Sequence, residues 1–217
     1  MFITILQMLQ FLIVSLIAYF PYKGKDFDDV SWKKAINISI RFFLSSLLLI
    51  ILNYQNIYLK LDLTTIGIFI VATLVWIFAP KVIRLYGKYP KSFSEDKKNR
   101  MRFMAKLEPQ GMTIKYFEVL FQQSIFLFIY FEVLGNLPIN LSILMFTVIV
   151  AIFHLGNFLF IHSKWVLFYF ILSIPMAILF GFMISQGLTL LTMSIHIIFY
   201  LIFNSRYWFV KDKTYSY

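Results

Sequence analysis

Cysteine is missing from all 217 residues, which excludes disulfides and thiolate metal sites and leaves the redox environment open. Charge is scarce too. Only 14% of the residues are charged, against 60% hydrophobic and 20% aromatic, and the mean hydropathy is +0.79. A soluble globular domain carries about 25% charged residues, so this composition points to an integral membrane protein. The apolar runs do not alternate with polar residues, which argues against a transmembrane barrel. The first stretch, "MFITILQMLQFLIVSLIAYF", has no basic n-region and no small-x-small cleavage site, so it reads as a retained helix and not as a signal peptide. No repeat of fixed period, no low-complexity segment and no sign of a second domain occurs.

What is present is a succession of stretches long enough to cross about 30 Å of hydrocarbon as helices. Hydropathy places them at 2–20, 36–53, 63–80, 112–134, 138–161, 165–185 and 188–204. The expected fold is therefore all-α, a polytopic membrane protein of about seven transmembrane helices in a single integral membrane domain over 1–217. Three N-terminal helices fall in 1–90 and a four-helix core in 112–204, with a tail over 205–217.

The basic residues sort by loop. Lys23, Lys25, Lys33 and Lys34 precede the second span, and a dense group runs from Lys81 to Lys115. Lys164, Arg206, Lys211 and Lys213 follow, which leaves Lys60 alone on the other side. The positive-inside rule then puts the N-terminus outside and the C-terminus in the cytoplasm of a cell-membrane protein. Rings at span ends, among them Trp32, Tyr58, Tyr86, Trp165 and Trp208, agree with this. A net charge of +10 is thus read as cytoplasmic loops meeting anionic lipid, and not as a nucleic-acid surface. Residues 91–111 begin with Ser92 and Glu95 at capping-box spacing and place Met101, Met104, Ala105 and Leu107 among basic residues. That reads as an amphipathic helix on the cytoplasmic leaflet, with a solvated linker as the alternative that the sequence does not separate from it.

Ionisable groups at membrane depth are costly and by default face a bundle interior or a wet cavity. Glu118, His154 and His196 all fall on the order of 10 Å below the cytoplasmic surface, on three different helices. A carboxylate and two imidazoles in one enclosed layer can activate water: the carboxylate takes a proton while the histidines position the water and stabilise developing charge. A two-His, one-carboxylate metal site uses the same residue types, but no His-Glu-x-x-His spacing supports one. No cofactor or metal is expected. Plain structural readings stand beside these: a lone histidine can be a helix-packing hydrogen bonder, Glu132 and His162 suit an interface, and Arg41 can snorkel. A proton-relay transporter would show matched halves broken at midplane, whereas Pro175 is the one deep proline and the halves do not match.

Three motifs, "FEVLFQQ", "VAIFHLGN" and "ILFGFMISQGLTLLTMSIHIIFY", carry a resemblance over residues 112–204 to the CPBP family, the CAAX-protease and bacteriocin-processing intramembrane endopeptidases. That family has Glu-Glu-x-x-x-Arg, then Phe-x-x-x-His, then a late His-x-x-x-Asn. Aligned through Phe121, Phe117 takes the first glutamate's place, Glu118 the second and Gln122 the arginine's. Shifted by one, Glu118 is the first glutamate and Gln123 stands for the arginine. Val150 replaces the motif phenylalanine and Tyr200 the asparagine.

The resemblance implies an intramembrane endopeptidase that cleaves a peptide or membrane-protein segment. Glu118 would be general base, His154 and His196 would hold water and the oxyanion, and Gln122, Tyr200 and Asn157 would be auxiliary. Loss of the Glu-Glu pair and the arginine instead implies a non-catalytic homologue that binds a membrane partner, in bacteriocin self-immunity or cell-envelope regulation. On the catalytic reading Glu118→Gln, nearly isosteric, is expected to abolish cleavage and leave folding intact.

Overall fold

The computed structural model describes residues 9, 12–17, 31–52, 54–57, 62–86, 109–156 and 164–209. Among them the chain is helical, with no strand: residues 12–17 (α1), Trp32–Leu52 (α2), Leu63–Tyr86 (α3), Pro109–Phe128 (α4), Ile139–Gly156 (α5), Lys164–Ser185 (α6) and Thr189–Phe209 (α7). A 3-10 turn spans Tyr54–Asn56, and α4 runs on into a π turn at Ile129–Val133. Three helices are long and apolar enough to cross a membrane: Trp32–Leu52, Pro109–Val133 and Ile139–Gly156. At 1.5 Å per residue, about 20 residues reach across about 30 Å.

Local chemistry explains where the helices begin and end. Ser31 Oγ accepts the Lys34 N–H at 3.4 Å and Asp62 Oδ1 accepts the Thr65 N–H at 2.7 Å, each a side-chain cap on an otherwise unpaired amide. Pro109 opens α4, a first-turn position where the missing N–H costs nothing. Residues 109–111, assigned from sequence to the basic amphipathic segment, therefore belong to α4, with Gly111 and Met112 already buried; the rest of that segment lies outside the described residues. At the other end of α6, Gly187 adopts φ 75, the Leu188 N–H bonds to the Met183 carbonyl at 2.9 Å and the Gly187 N–H to Ile184 at 3.0 Å. This is a Schellman closure, which turns the chain sharply into α7.

α4 is the central helix. It packs on α2 along one side and on α7 along another, α7 also meets α3, and α5 and α6 form an antiparallel pair. Phe42 of α2 and Phe121 of α4 stack with centroids 5.7 Å apart. In the α5–α6 pair the backbones come close because α6 offers glycine: a Cβ on Gly181 would sit 3.3 Å from Phe146 and 3.4 Å from Ile143. The outer faces are bulky and apolar. α5 buries Ser142 and Thr147 with Phe146 and Val150, while Leu144, Ile152 and Phe153 are exposed. A helix on a water-soluble protein has the reverse arrangement, whereas small and hydroxyl residues inside with bulk outside suit an apolar solvent. Hydroxyls of Ser46, Ser124, Thr147 and Thr192 each donate to the carbonyl four residues back, so their polarity stays within the helix.

Candidate functional site

The polar layer starts in α4, where Lys115, Glu118 and Gln122 follow one another at helical spacing and so share a face. Lys115 Nζ lies 3.2 Å from Glu118 Oε2, and Gln122 Nε2 donates to Glu118 Oε1 at 3.1 Å. Lys115 and Glu118 are 1% and 2% exposed. Both carboxylate oxygens are thus engaged, one by an ammonium and one by an amide, out of reach of solvent. The pair is neutral as a unit, which makes its burial tolerable; either ion alone would carry a large desolvation cost.

Tyr200 of α7 covers this pair. Its ring lies 5.3 Å from Lys115 Nζ, a cation–π contact. One turn earlier on α7 stands His196, its ring 5.5 Å from that of Tyr200 and 6.0 Å from that of Phe180 on α6. Gln123, also on α4 but rotated toward α7, hydrogen-bonds His196 through Nε2 and Nδ1. His154 of α5 has its Nδ1 on the Val150 carbonyl at 2.8 Å.

The two histidines meet at a cavity of about 80 Å³ between α4, α5, α6 and α7, lined also by Phe126, Phe146, Ser173, Met176 and Tyr200 among others. One water needs about 10–15 Å³ of such space, so several fit. Pro175 lies inside α6 beside this wall, where Ser173, Met176 and Ala177 line the cavity. Ser173 Oγ donates to the Phe170 carbonyl at 2.7 Å, using its proton within α6.

The structure therefore brings His154, His196 and Tyr200 to one cavity and places Glu118 beside it, behind Lys115, without lining it. Gln122 serves Glu118 directly. Glu132 sits half-buried in the π turn, and Arg41 is exposed with its Nε on Asn37 at 3.0 Å. Asn157 and His162 lie outside the described residues.

Lys115 is the residue that sequence reading misplaced. Grouped with the loop lysines, it is instead among the most buried side chains of the protein. The i, i+3 spacing of Lys115 and Glu118 was the available signal, since opposite charges three apart on a helix face each other. Among the described residues no group of three metal-ligating side chains comes together.

Phe117 packs edge-on against Phe43 of α2 with centroids 5.9 Å apart, while Glu118, the next residue, meets a cation and the Gln122 amide. Compared with family models, curated proteins and solved structures, the chain matches none.

Proposed function

We propose that this is a multi-pass membrane protein, its C-terminus cytoplasmic, which uses the cavity between His154 and His196 to bind a membrane-embedded partner segment without cleaving it. The exposed apolar faces of α2 and α5 and the three helices of spanning length support the membrane setting. The observation that carries the function is the state of Glu118. A general base must touch the water it activates, and Glu118 is buried, bound at both oxygens and absent from the cavity wall. Phe117 offers no substitute.

On the register in which Glu118 is the resembled family's second glutamate, Gln122 takes the arginine's place, and the cation beside Glu118 comes from Lys115. A peptidase reading is favoured by one observation only, the convergence of two imidazoles from different helices on one cavity.

Peptide termini in host-cell membranes carrying wild type, Glu118→Gln or His196→Ala, at matched levels of folded protein, separate the two. The three profiles are expected to coincide. New termini present with wild type and lost in both variants would overturn the binding reading and establish a protease.

A further inference from the structure

We infer that the cavity recognises a neutral secondary amide, the peptide group of a partner's non-helical stretch, by presenting one hydrogen-bond acceptor and one donor. This rests on the binding reading above and names the ligand of that site. The Nδ1 atoms of both histidines are committed elsewhere, and their partners dictate the tautomers. Gln123 Nε2 can only donate, so His196 Nδ1 accepts from it and the ring proton sits on Nε2, a donor. The Val150 carbonyl can only accept, so His154 Nδ1 donates to it, and the neutral ring offers Nε2 as an acceptor.

Both rings line one cavity whose other walls include Phe126, Phe146, Met176 and Phe180. In such surroundings a polar group left without a partner is expensive. A ligand that leaves neither nitrogen idle must both donate and accept, and a peptide group does so with its N–H and C=O. An ester lacks the donor. A carboxylate lacks it too, and the charge it would seek, on Lys115, is already balanced by Glu118. A peptide group in hydrocarbon needs both its polar atoms satisfied when it leaves a helix, and the two imidazoles together do this for one such group.

The chain has three histidines, so nitrogen-15 spectra of histidine-labelled protein in lipid nanodiscs read the site directly, with His162 as the third signal. Without any probe, the proton should appear on Nε2 in His196 and on Nδ1 in His154. N-dodecylacetamide should then shift both rings, half-saturating at about tenfold lower mole fraction than dodecyl acetate or laurate, because each of those leaves an imidazole nitrogen unpaired.

Gln123→Glu replaces a donor with an acceptor and moves the His196 proton to Nδ1, which leaves no ring N–H for a carbonyl: amide and ester should both bind about tenfold more weakly, while the amide, still donating to His154 Nε2, keeps its advantage. Gln123→Met, which carries no charge and releases the His196 tautomer, should weaken both probes in the same direction without removing the amide preference, and covers the case in which the glutamate variant fails to fold. Equal half-saturation in the wild type, tighter laurate binding, no shift with any probe, or a His196 proton on Nδ1 would each overturn the inference. New peptide termini in the membrane experiment would overturn the non-catalytic reading while leaving an amide preference in place, so the two failures are distinguishable.

Discussion

Lys115→Met should destabilise the protein by about 3–5 kcal/mol, the range for leaving one member of a buried ion pair without its partner. Glu118 would keep only the Gln122 amide at 3.1 Å in a place where the residue is 2% exposed. Removing both charges should reverse most of the loss: in Lys115→Met/Glu118→Met the cavity-side packing under Tyr200 is kept, no ion is stranded, and Gln122, half-buried, loses one hydrogen bond worth about 1 kcal/mol. Thermal denaturation in detergent, followed by helical circular dichroism, tests this as a double-mutant cycle. A single variant as stable as wild type would mean the pair is hydrated. A double variant as unstable as the single would mean that Lys115 acts through Tyr200 and not through Glu118. The same reasoning revises the expectation that Glu118→Gln folds normally, since it strands a buried ammonium, and it is why the membrane experiment is run at matched levels of folded protein with His196→Ala beside it.

Gly135→Ala should be more damaging than the same change at Gly67, Gly156 or Gly181. α4 ends in a π turn in which the Leu134 N–H reaches back to the Ile129 carbonyl at 3.0 Å, and a Cβ on Gly135 would lie 2.1 Å from the Phe131 carbonyl oxygen. That atom is backbone and cannot swing aside, so the helix end must move. The displacement would propagate, because Ser142 Oγ at the start of α5 donates to the Leu134 and Leu137 carbonyls at 3.0 and 3.2 Å. Tyr130 and Phe126, both edge-on to Phe146, seat α4 against the cavity wall. A loss of about 3 kcal/mol, the upper end for forcing atoms into packed space, is expected in the same denaturation assay. Gly67→Ala and Gly156→Ala, where an added Cβ meets nothing within 4 Å, serve as controls and should stay at or above wild type. A Gly135→Ala protein indistinguishable from them would show that the π turn relaxes without cost.

Helix existence was legible from hydropathy, because a long apolar run without alternation fits a helix and not a strand. The helix expected over 165–185 is Lys164–Ser185 and that over 63–80 is Leu63–Tyr86, while the helices long and apolar enough to span are Trp32–Leu52, Pro109–Val133 and Ile139–Gly156. Boundaries at Pro109 were misread, since proline marks either an end or a first turn and only the following register tells which. Polar residues at depth, Glu118, His154 and His196, were legible as rarities in an apolar background. Their partners were less so. A hydropathy window treats Lys115 as the last member of a basic cluster; the i, i+4 spacing puts Gln122 on the face of Glu118, but no local pattern says that Gln123 meets His196, because which residue faces α7 depends on how the helices are rotated against each other.

By itself the sequence determined that the described residues are helical, that some of its apolar runs are of membrane-spanning length and that Glu118, His154 and His196 are among the few ionisable residues inside apolar runs, because each of these follows from composition and local spacing. Which groups from different helices touch was decided by tertiary packing alone. Glu118 is neutralised by Lys115 and held off the cavity, while the two histidines reach it from α5 and α7 with their tautomers set by Val150 and Gln123. The physical reason is that a buried charge or imidazole takes its chemistry from the nearest donor, acceptor or opposite charge; His154 finds Val150 on its own helix, but Gln123 is brought to His196, and the two rings to one cavity, by the rotation and docking of the helices, which no window along the chain contains.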